Sequence, residues 1–184
     1  MVTSSGLRIR DGQESDIPRC LELDHQYETD FVWQMSVNEE HGRWQVNFSP
    51  QRLPRTLEVA YAADEARMQL ALPPEHAFLV AVTKDGAETL GYLTLRQDAA
   101  HGIGWVQDVV VSRPYRRRRI GTRLLNIARQ WAKEQHLQQL TVETTTQNYP
   151  AILFCQQAGL QFCGYNDRYF PNHDIATFFS QSLR

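Results

Sequence analysis

The fold of this chain is decided by the stretch VVVSRPYRRRRIGT, residues 109–122. An apolar strand is predicted over residues 103–111, and a helix with one apolar face is predicted over residues 120–135. The turn between them leads from a buried strand into a helix N-terminus, where unpaired backbone N–H groups and the helix dipole attract anions. Gly121 has no Cβ and permits close approach of a ligand to the backbone. The stretch therefore predicts a phosphate site.

Arginine is unusually dense in this turn: five arginines lie between residues 113 and 119, with no acidic residue among them. A guanidinium group can bind phosphate through two parallel hydrogen bonds. A solvated basic loop would explain the arginines but not their place between an apolar strand and an amphipathic helix. An RNA contact is a further alternative. Because the chain has a formal net charge of -2 and no aromatic stacking pattern around the cluster, we favour a small-molecule phosphate.

Strands and helices alternate around the turn. Downstream we predict a strand over residues 140–142, a helix over 149–158 ended by Gly159, and strands over 162–165 and 175–183. Upstream we predict a hairpin of strands 77–82 and 89–95, an edge strand over 7–10, an extended pair within 29–57 that turns at 41–42, and a short helix over 64–72. This order predicts one α/β domain, residues 1–184, with a mixed sheet and helices on its faces.

Composition excludes several classes of protein. Of 184 residues, 42% are hydrophobic and 22% are charged, as in ordinary globular domains. The apolar stretches are far shorter than the ~20 residues of a membrane span, and the first residues lack the apolar core of a signal peptide. The three cysteines and six histidines show no metal-binding spacing. We therefore expect a reduced, cytoplasmic protein without metal, membrane or nucleic-acid partner.

Two motifs carry a family resemblance. Residues 116–121 resemble the Arg/Gln-x-x-Gly-x-Gly/Ala signature of the GCN5-related N-acetyltransferase (GNAT) superfamily, with Arg119 in place of the first glycine and Gly121 as the second. The family's Asn-x-x-Ala-x-x-x-Tyr-x-x-x-Gly motif matches in spacing from Asn148 to Gly159, with Cys155 in place of the tyrosine. Within the superfamily the chain is most similar to streptothricin acetyltransferases, in its QDVVV, VET and IATFF stretches.

The resemblance implies a fold, a co-substrate and a set of contacts. The fold is a mostly antiparallel sheet splayed at the cofactor site, with a cofactor-binding core at about residues 77–165 and an acceptor-shaping region at about 24–76. The co-substrate is acetyl-coenzyme A, held by backbone contacts on the strand and phosphate contacts along the turn. The implied cofactor-binding residues are Val109, Val110, Val111, Arg116, Arg117, Arg118, Arg119, Ile120, Gly121, Thr122, Asn148 and Phe154.

Three residues are candidates for catalysis. Direct transfer to an amine needs a base for the ammonium proton, and Asp108 and Glu143 are the candidate bases. Asp108 precedes the valine run, and Glu143 is expected at the end of an apolar strand, where ligands gather in open α/β sheets. Cys155 could donate a proton in place of the family's tyrosine, although a small buried hydrophobe is the interpretation we favour. A hydroxyl from one of the tyrosines 149, 165 and 169 is the alternative donor.

These features predict an enzyme that acetylates the amine of a small molecule. A protein or peptide N-acetyltransferase stays open, because the sequence does not show whether the acceptor site is a groove. A non-catalytic acetyl-coenzyme A-binding module also stays open, because Arg119 and Cys155 replace family residues. The resemblance further leaves a homodimer open, since members commonly dimerise through sheet edges or C-terminal strands.

Overall fold

The described part of the chain contains nine strands, four α-helices and two short 3-10 helices, Glu14–Asp16 and Arg113–Tyr115. The computed structural model describes residues 6–61 and 63–184; residues 1–5, part of the stretch from which we predict the absence of a signal peptide, lie outside it. The strands are β1 (Leu7–Asp11), β2 (Gln26–Glu40), β3 (Arg43–Ala60), β4 (Ala77–Thr83), β5 (Thr89–Asp98), β6 (Ile103–Val111), β7 (Gln139–Thr145), β8 (Gln161–Asn166) and β9 (Ala176–Ser182). The helices are α1 (Ile17–Leu21), α2 (Glu65–Leu70), α3 (Ile120–Glu134) and α4 (Tyr149–Gln157).

Seven of the strands form one sheet in the order β1-β4-β5-β6-β7-β9-β8. Its neighbours run antiparallel except β6 and β7, which are parallel because α3 crosses over between them. The mixed, mostly antiparallel sheet predicted from the sequence is confirmed. Strand β7 runs on to Thr145, so Glu143 lies inside the strand and not at its end as predicted.

Helices cover both faces of the sheet. On one face, here named the α3 face, Leu93 and Leu140 pack with Leu124 of α3 and Ile152 of α4. On the opposite face, named the α2 face, strand residues including Phe78, Val80 and Tyr92 pack with Cys20 of α1 and Met68 of α2. The alternation of side chains along each strand divides the apolar residues between these two cores.

Strands β2 and β3 form a separate two-stranded arm. His41 and Gly42 connect them with φ values of 52° and 75°, the left-handed backbone of a two-residue hairpin turn. The arm is longer than the extended pair predicted within residues 29–57. Midway along β2, Trp33 contacts the rings of Phe162 and Phe179, so the arm is anchored on β8 and β9.

None of the helices in residues 6–61 and 63–184 has the length and apolar character needed to cross a membrane.

Candidate active site

A gap opens between β6 and β7 in the middle of the sheet. The two strands pair only from Ile103 opposite Gln139 to Val106 opposite Val142. Beyond these pairs β6 follows β5, and β7 follows β9. In the described chain, residues 107–111 and 143–145 therefore border the gap without forming a ladder with each other. This is the splay that the family resemblance implies.

The three valines at the end of β6 line one side of the gap. Val110 packs into the core of the α2 face, whereas Val109 and Val111 pack against the core of the α3 face. On its other side the run pairs with residues 91–93 of β5. The backbone edge of these valines toward β7 is therefore placed where the resemblance implies pantetheine contacts, which stay a prediction.

The turn after β6 places the N-terminus of α3 beside the gap. Arg117 and Arg119 have φ values of 62° and 63°, and α3 begins directly afterwards at Ile120. Only glycine adopts this left-handed backbone without a steric cost. Arg119, which replaces the family's first glycine, thus holds a conformation that glycine favours. The N–H groups of the first helical turn have no partner within the helix and remain suited to an anion.

Gly121, Val109 and Phe154 come together from three different elements. A Cβ placed on Gly121 would lie 3.4 Å from Phe154 Cε2 and 3.7 Å from Val109 Cγ1. Both are ordinary contact distances, so packing within the chain does not require glycine at this position. The structure therefore brings together three of the residues predicted to contact the cofactor, and leaves close approach of a ligand as a reason for Gly121.

Arg116 uses its side chain within the protein. Its guanidinium group donates to the carbonyl oxygens of Val111 at 2.8 Å, Gln26 at 2.6 Å and Asp24 at 2.8 Å. These bonds fasten the turn to the start of β2. The guanidinium of Arg116 is thus occupied by backbone carbonyls, and a cofactor contact would fall to its backbone.

The next three arginines of the turn, residues 117–119, are exposed to solvent. The Arg118 guanidinium lies 5.3 Å from the centre of the Tyr115 ring, a cation–π contact that leaves its N–H groups at the surface. Exposed guanidinium groups beside a helix N-terminus suit a phosphate ligand. Their contact with the cofactor remains a prediction.

Helix α4 carries two further predicted site residues with different surroundings. Asn148 accepts a hydrogen bond from the Ala151 N–H at 3.1 Å and so caps the helix. Cys155 is fully buried in the core of the α3 face, and burial raises the pKa of its thiol to about 12. These surroundings favour the core residue over the proton donor among the two interpretations of Cys155.

A β-bulge turns Asp108 onto the α2 face. Thr94 pairs with Asp108 and Leu95 pairs with Val106, so Gln107 is an extra residue in β6. The bulge reverses the alternation of the strand: Val106 packs on the α3 face, whereas Asp108 shares the face of Thr94. Only 3% of Asp108 is exposed.

The buried carboxylate of Asp108 is held by three side chains. The hydroxyl of Tyr61 donates to Oδ1 and the hydroxyl of Thr94 donates to Oδ2. Arg67 Nη1 lies 3.4 Å from Oδ1 and donates to the Tyr61 hydroxyl at 3.1 Å. Burial and the neighbouring carboxylate raise the pKa of Tyr61, which keeps its hydroxyl a donor. We call these four residues the Asp108 network.

Glu143 has a different environment at the gap. It is the first residue of β7 beyond the pairing with β6, and its neighbours Leu140 and Val142 on the α3 face place it on the α2 face. Its carboxylate accepts a hydrogen bond from the Tyr169 hydroxyl at 2.8 Å. Burial raises its pKa above the usual glutamate value, although Tyr169 and Arg67 act in the opposite direction.

The structure thus brings both candidate bases to the α2 face at the gap. The Asp108 carboxylate accepts hydrogen bonds from Tyr61 and Thr94 and lies beside Arg67, whereas the Glu143 carboxylate accepts from Tyr169. Tyr169 is one of the three tyrosines predicted as alternative proton donors; the other two contact aromatic residues of the arm, Tyr149 at Phe31 and Tyr165 at Phe48. The remaining members of the Asp108 network, Tyr61, Arg67 and Thr94, belong to no motif. Tyr61 is an aromatic residue of the region expected to shape the acceptor pocket, whereas no sequence signal marks Arg67 and Thr94.

The described residues offer no metal site. In residues 6–61 and 63–184, no cluster of three or more His, Cys, Asp and Glu side chains is arranged to hold a metal ion. The prediction that the chemistry needs no metal is not tested by this finding and stays a prediction.

Solved structures share this architecture over nearly the whole chain. A nourseothricin acetyltransferase superposes with a TM-score of 0.84 and 21% identity, covering 97% of this chain and 99% of the other. A protein of Bacillus anthracis described as a streptothricin acetyltransferase, in complex with acetyl coenzyme A, gives a TM-score of 0.78 and 20% identity, covering 96% and 98%. The ribosomal-protein-S18-alanine N-acetyltransferase of Escherichia coli gives 0.67 and 12%, covering 96% and 94%. These likenesses confirm the predicted fold class.

Sequence comparison supports the same assignment. Streptothricin acetyltransferase A of Bacillus subtilis is 30% identical over 98 residues, 53% of this chain, and the matched region spans about half of that relative's length, 50%. The acetyltransferase (GNAT) family matches residues 33–160, which include the gap, the arginine turn and both candidate bases. The resemblance predicted from the two motifs is confirmed, and the chain belongs to the acetyltransferase (GNAT) family.

Proposed function

We propose that this protein transfers the acetyl group of acetyl-coenzyme A to a primary amine of a small molecule by direct attack. The observation that carries the proposal is a buried carboxylate, Glu143, placed where a gap in the sheet begins. The same gap is bordered by the backbone edge of β6 and by the N-terminus of α3. A proton acceptor and an anion site are thus joined by one opening, as acetyl transfer from a phosphate-bearing donor requires.

The cofactor-binding core about residues 77–165 would hold acetyl-coenzyme A. The unpaired N–H groups at the start of α3 suit its pyrophosphate, and the edge of β6 at Val109 and Val111 suits its pantetheine arm. Exposed arginines of residues 117–119 add positive charge from the solvent side. Acetyl-coenzyme A supplies an activated acetyl group as a thioester.

Glu143 would act as the general base. The acceptor amine must lose a proton as its nitrogen forms a bond to the acetyl carbon and the carbon–sulfur bond breaks. Glu143 takes that proton, and the sulfur leaves as the coenzyme A thiolate, so that charge and atoms balance. A pKa raised by burial makes the carboxylate a stronger base than an exposed glutamate. The buried thiol of Cys155 has no role in this scheme.

The arm favours a small acceptor. β2 crosses from the arginine turn to the end of β7: Arg116 donates to the Gln26 carbonyl at 2.6 Å, and the Trp33 N–H donates to the Thr146 carbonyl at 2.8 Å. These contacts close one end of the gap and leave less room for a peptide groove. The region about residues 24–76 would therefore shape a pocket for a small amine such as a streptothricin-type antibiotic, which the names of the relatives make the first acceptor to test.

Gly121→Ala provides a sharp test of the cofactor site. Its Cβ fits against Phe154 and Val109, and alanine in a helix is about 0.8–1 kcal/mol more favourable than glycine. Without bound acetyl-coenzyme A, the variant should therefore be at least as stable as the wild type. Its affinity for acetyl-coenzyme A should fall about tenfold or more, because the new methyl group keeps the pyrophosphate from the N–H groups.

Thermal shift and calorimetry with acetyl-coenzyme A measure both effects. Gly164→Ala in β8 is the matched control, because a Cβ there meets no atom within 4 Å. Wild-type stabilisation of ~2.7 kcal/mol is expected at 100 times the dissociation constant. Unchanged affinity in Gly121→Ala would overturn the site. A panel of streptothricin-type antibiotics, alkyl amines and peptides, followed by thiol release, then separates a small-molecule enzyme from a peptide enzyme and from a non-catalytic module.

A further inference from the structure

The Asp108 network joins four separate parts of the fold on the α2 face. Thr94 lies on β5, Asp108 on β6, Arg67 on α2 and Tyr61 directly after β3. Only Arg67 among the four carries a positive charge, and its side chain is 27% exposed while that of Asp108 is 2% exposed. The network therefore links the acceptor-shaping region to the strand that borders the gap.

We propose that Arg67 is a positioning residue of the acetyl-transfer site, which clamps Tyr61 and Asp108 into a closed network and thereby leaves Glu143 as the proton acceptor. This inference rests on the proposed function. In it, Asp108 is an anchor that does not contact the acceptor amine. The two carboxylates at the gap thus have separate tasks, although both are candidate bases in the sequence.

Hydrogen bonding within the network supports the clamp. The Tyr61 hydroxyl donates to Asp108 and accepts from Arg67, so both of its roles are used inside the protein. Both oxygens of Asp108 accept hydrogen bonds, Oδ1 from Tyr61 and Oδ2 from Thr94. A buried carboxylate that is satisfied in this way would lose its partners if it moved to receive a proton from an acceptor, and such a loss is costly.

The Arg67 side chain also joins the clamp to α2. Its Nε lies 3.5 Å from an oxygen of Asp64, the residue that caps the helix. The guanidinium group therefore spans from the N-terminus of α2 to the carboxylate on β6. Because arginine presents its donors in a rigid planar fork, it can hold both positions at once.

The charges around Glu143 predict the direction in which its pKa should shift in each variant. Arg67 and Arg96 lower its pKa, Asp108 raises it, and the Tyr169 hydrogen bond lowers it. Tyr61 also lies close enough to Glu143 for the carboxylate to raise the pKa of its hydroxyl. Removing Arg67 should therefore raise the pKa of Glu143, and removing the charge of Asp108 should lower it.

The experiment measures kcat/KM against pH for Arg67→Gln and Asp108→Asn. A base must be deprotonated to act, so the acid limb of the profile follows the pKa of Glu143. Arg67→Gln should move this limb to higher pH by about half a unit or more, and Asp108→Asn should move it to lower pH. Arg67→Gln should also lower the plateau at high pH by about tenfold, because the clamp is lost.

Two further variants separate geometry from charge. Arg96→Gln removes an exposed cation that influences Glu143 but belongs to no part of the network, so a smaller shift of the limb and an unchanged plateau are expected. Arg67→Lys keeps the charge and loses the planar fork, so the limb should stay near its wild-type position while the plateau falls. If Arg67→Gln does not fold, Arg67→Lys decides the question, and a wild-type plateau in that variant overturns the clamp.

Titration of the Glu143 side-chain carbon by NMR gives an independent readout. Opposite shifts in Arg67→Gln and Asp108→Asn support the proposal whether or not an acceptor amine has been found. Shifts of the same sign, or none, overturn it. A wild-type protein that binds acetyl-coenzyme A yet acetylates no amine contradicts the proposed function, and the NMR titration still tests whether Arg67 and Asp108 act on Glu143 in opposite directions as proposed, so the two failures can be told apart.

Discussion

The arginine turn and the Asp108 network are assembled in opposite ways. The turn is one continuous stretch, residues 109–122, in which strand, loop and helix start follow one another along the chain. The network draws its four side chains from β5, β6, α2 and the residue after β3. Local chemistry can be read from a continuous stretch, whereas a network of distant residues depends on how the sheet and its bulge form.

The largest effect is expected from replacing Glu143, the proposed base. Without such an effect, Glu143 and the Asp108 network would not have the different roles proposed for them. Glu143→Gln should lower kcat by about 10²–10⁴-fold, because the acceptor loses its proton acceptor. The affinity for acetyl-coenzyme A, measured by calorimetry, should stay unchanged, since Glu143 lies on the α2 face. Asp108→Asn should lose much less activity. A larger loss in Asp108→Asn would make Asp108 the base.

Stability gives the same variant a second signature. Because the folded-state pKa of Glu143 is raised, the folded protein holds its proton to higher pH than the unfolded chain does. Wild-type stability should therefore fall as pH rises from the unfolded value of about 4.3 through the folded pKa. Glu143→Gln has no such loss, so its melting temperature relative to wild type should increase with pH. A constant difference would contradict the raised pKa.

Much of the fold follows from patterns in the sequence. The bounds of β6 and the start of α3 agree with the prediction, and Gly159 has a φ of 81° just past α4, as a glycine ending a helix should. The acceptor side was less predictable. Nothing in the sequence at Gln107 predicts a bulge, yet the bulge decides which face of the sheet Asp108 occupies. In the sequence, Arg67 likewise resembles any other residue of a short helix. Only the packing of α2 against the sheet brings it next to Asp108.

One residue of the arginine turn, Arg116, has a structural role like that of the Asp108 network, because its side chain holds separate parts of the chain together. Arg116→Ala should destabilise the protein by about 2–4 kcal/mol, because three backbone carbonyls lose charged hydrogen-bond donors. Arg113→Ala is the control: its ion pair with Glu28 is exposed, so its loss should cost about 1 kcal/mol or less. Urea denaturation measures both. Equal losses would show that Arg116 does not fasten the turn to β2.

Cys155→Ala tests whether the position of the family's tyrosine has no catalytic role in this protein although the fold is retained. Cys155→Ala should keep turnover within about threefold of wild type, since its thiol is buried and its pKa of about 12 makes it a poor acid. Stability should fall by about 1 kcal/mol through the small cavity left in the core. A loss of turnover of about a hundredfold with unchanged acetyl-coenzyme A affinity would restore the thiol as proton donor.

Arg119→Gly should give the smallest effect and sharpens the account of the turn. Glycine relieves a left-handed strain of roughly 1–2 kcal/mol but adds freedom to the unfolded chain worth about 0.4–1 kcal/mol, so a net gain of about 0.5 kcal/mol is expected. Arg118→Gly, at a neighbouring position without a positive φ, should lose stability. If backbone N–H groups at the start of α3 bind the pyrophosphate, the affinity of Arg119→Gly for acetyl-coenzyme A should stay within about threefold. A larger fall would mean that the Arg119 side chain has replaced the glycine as a phosphate ligand.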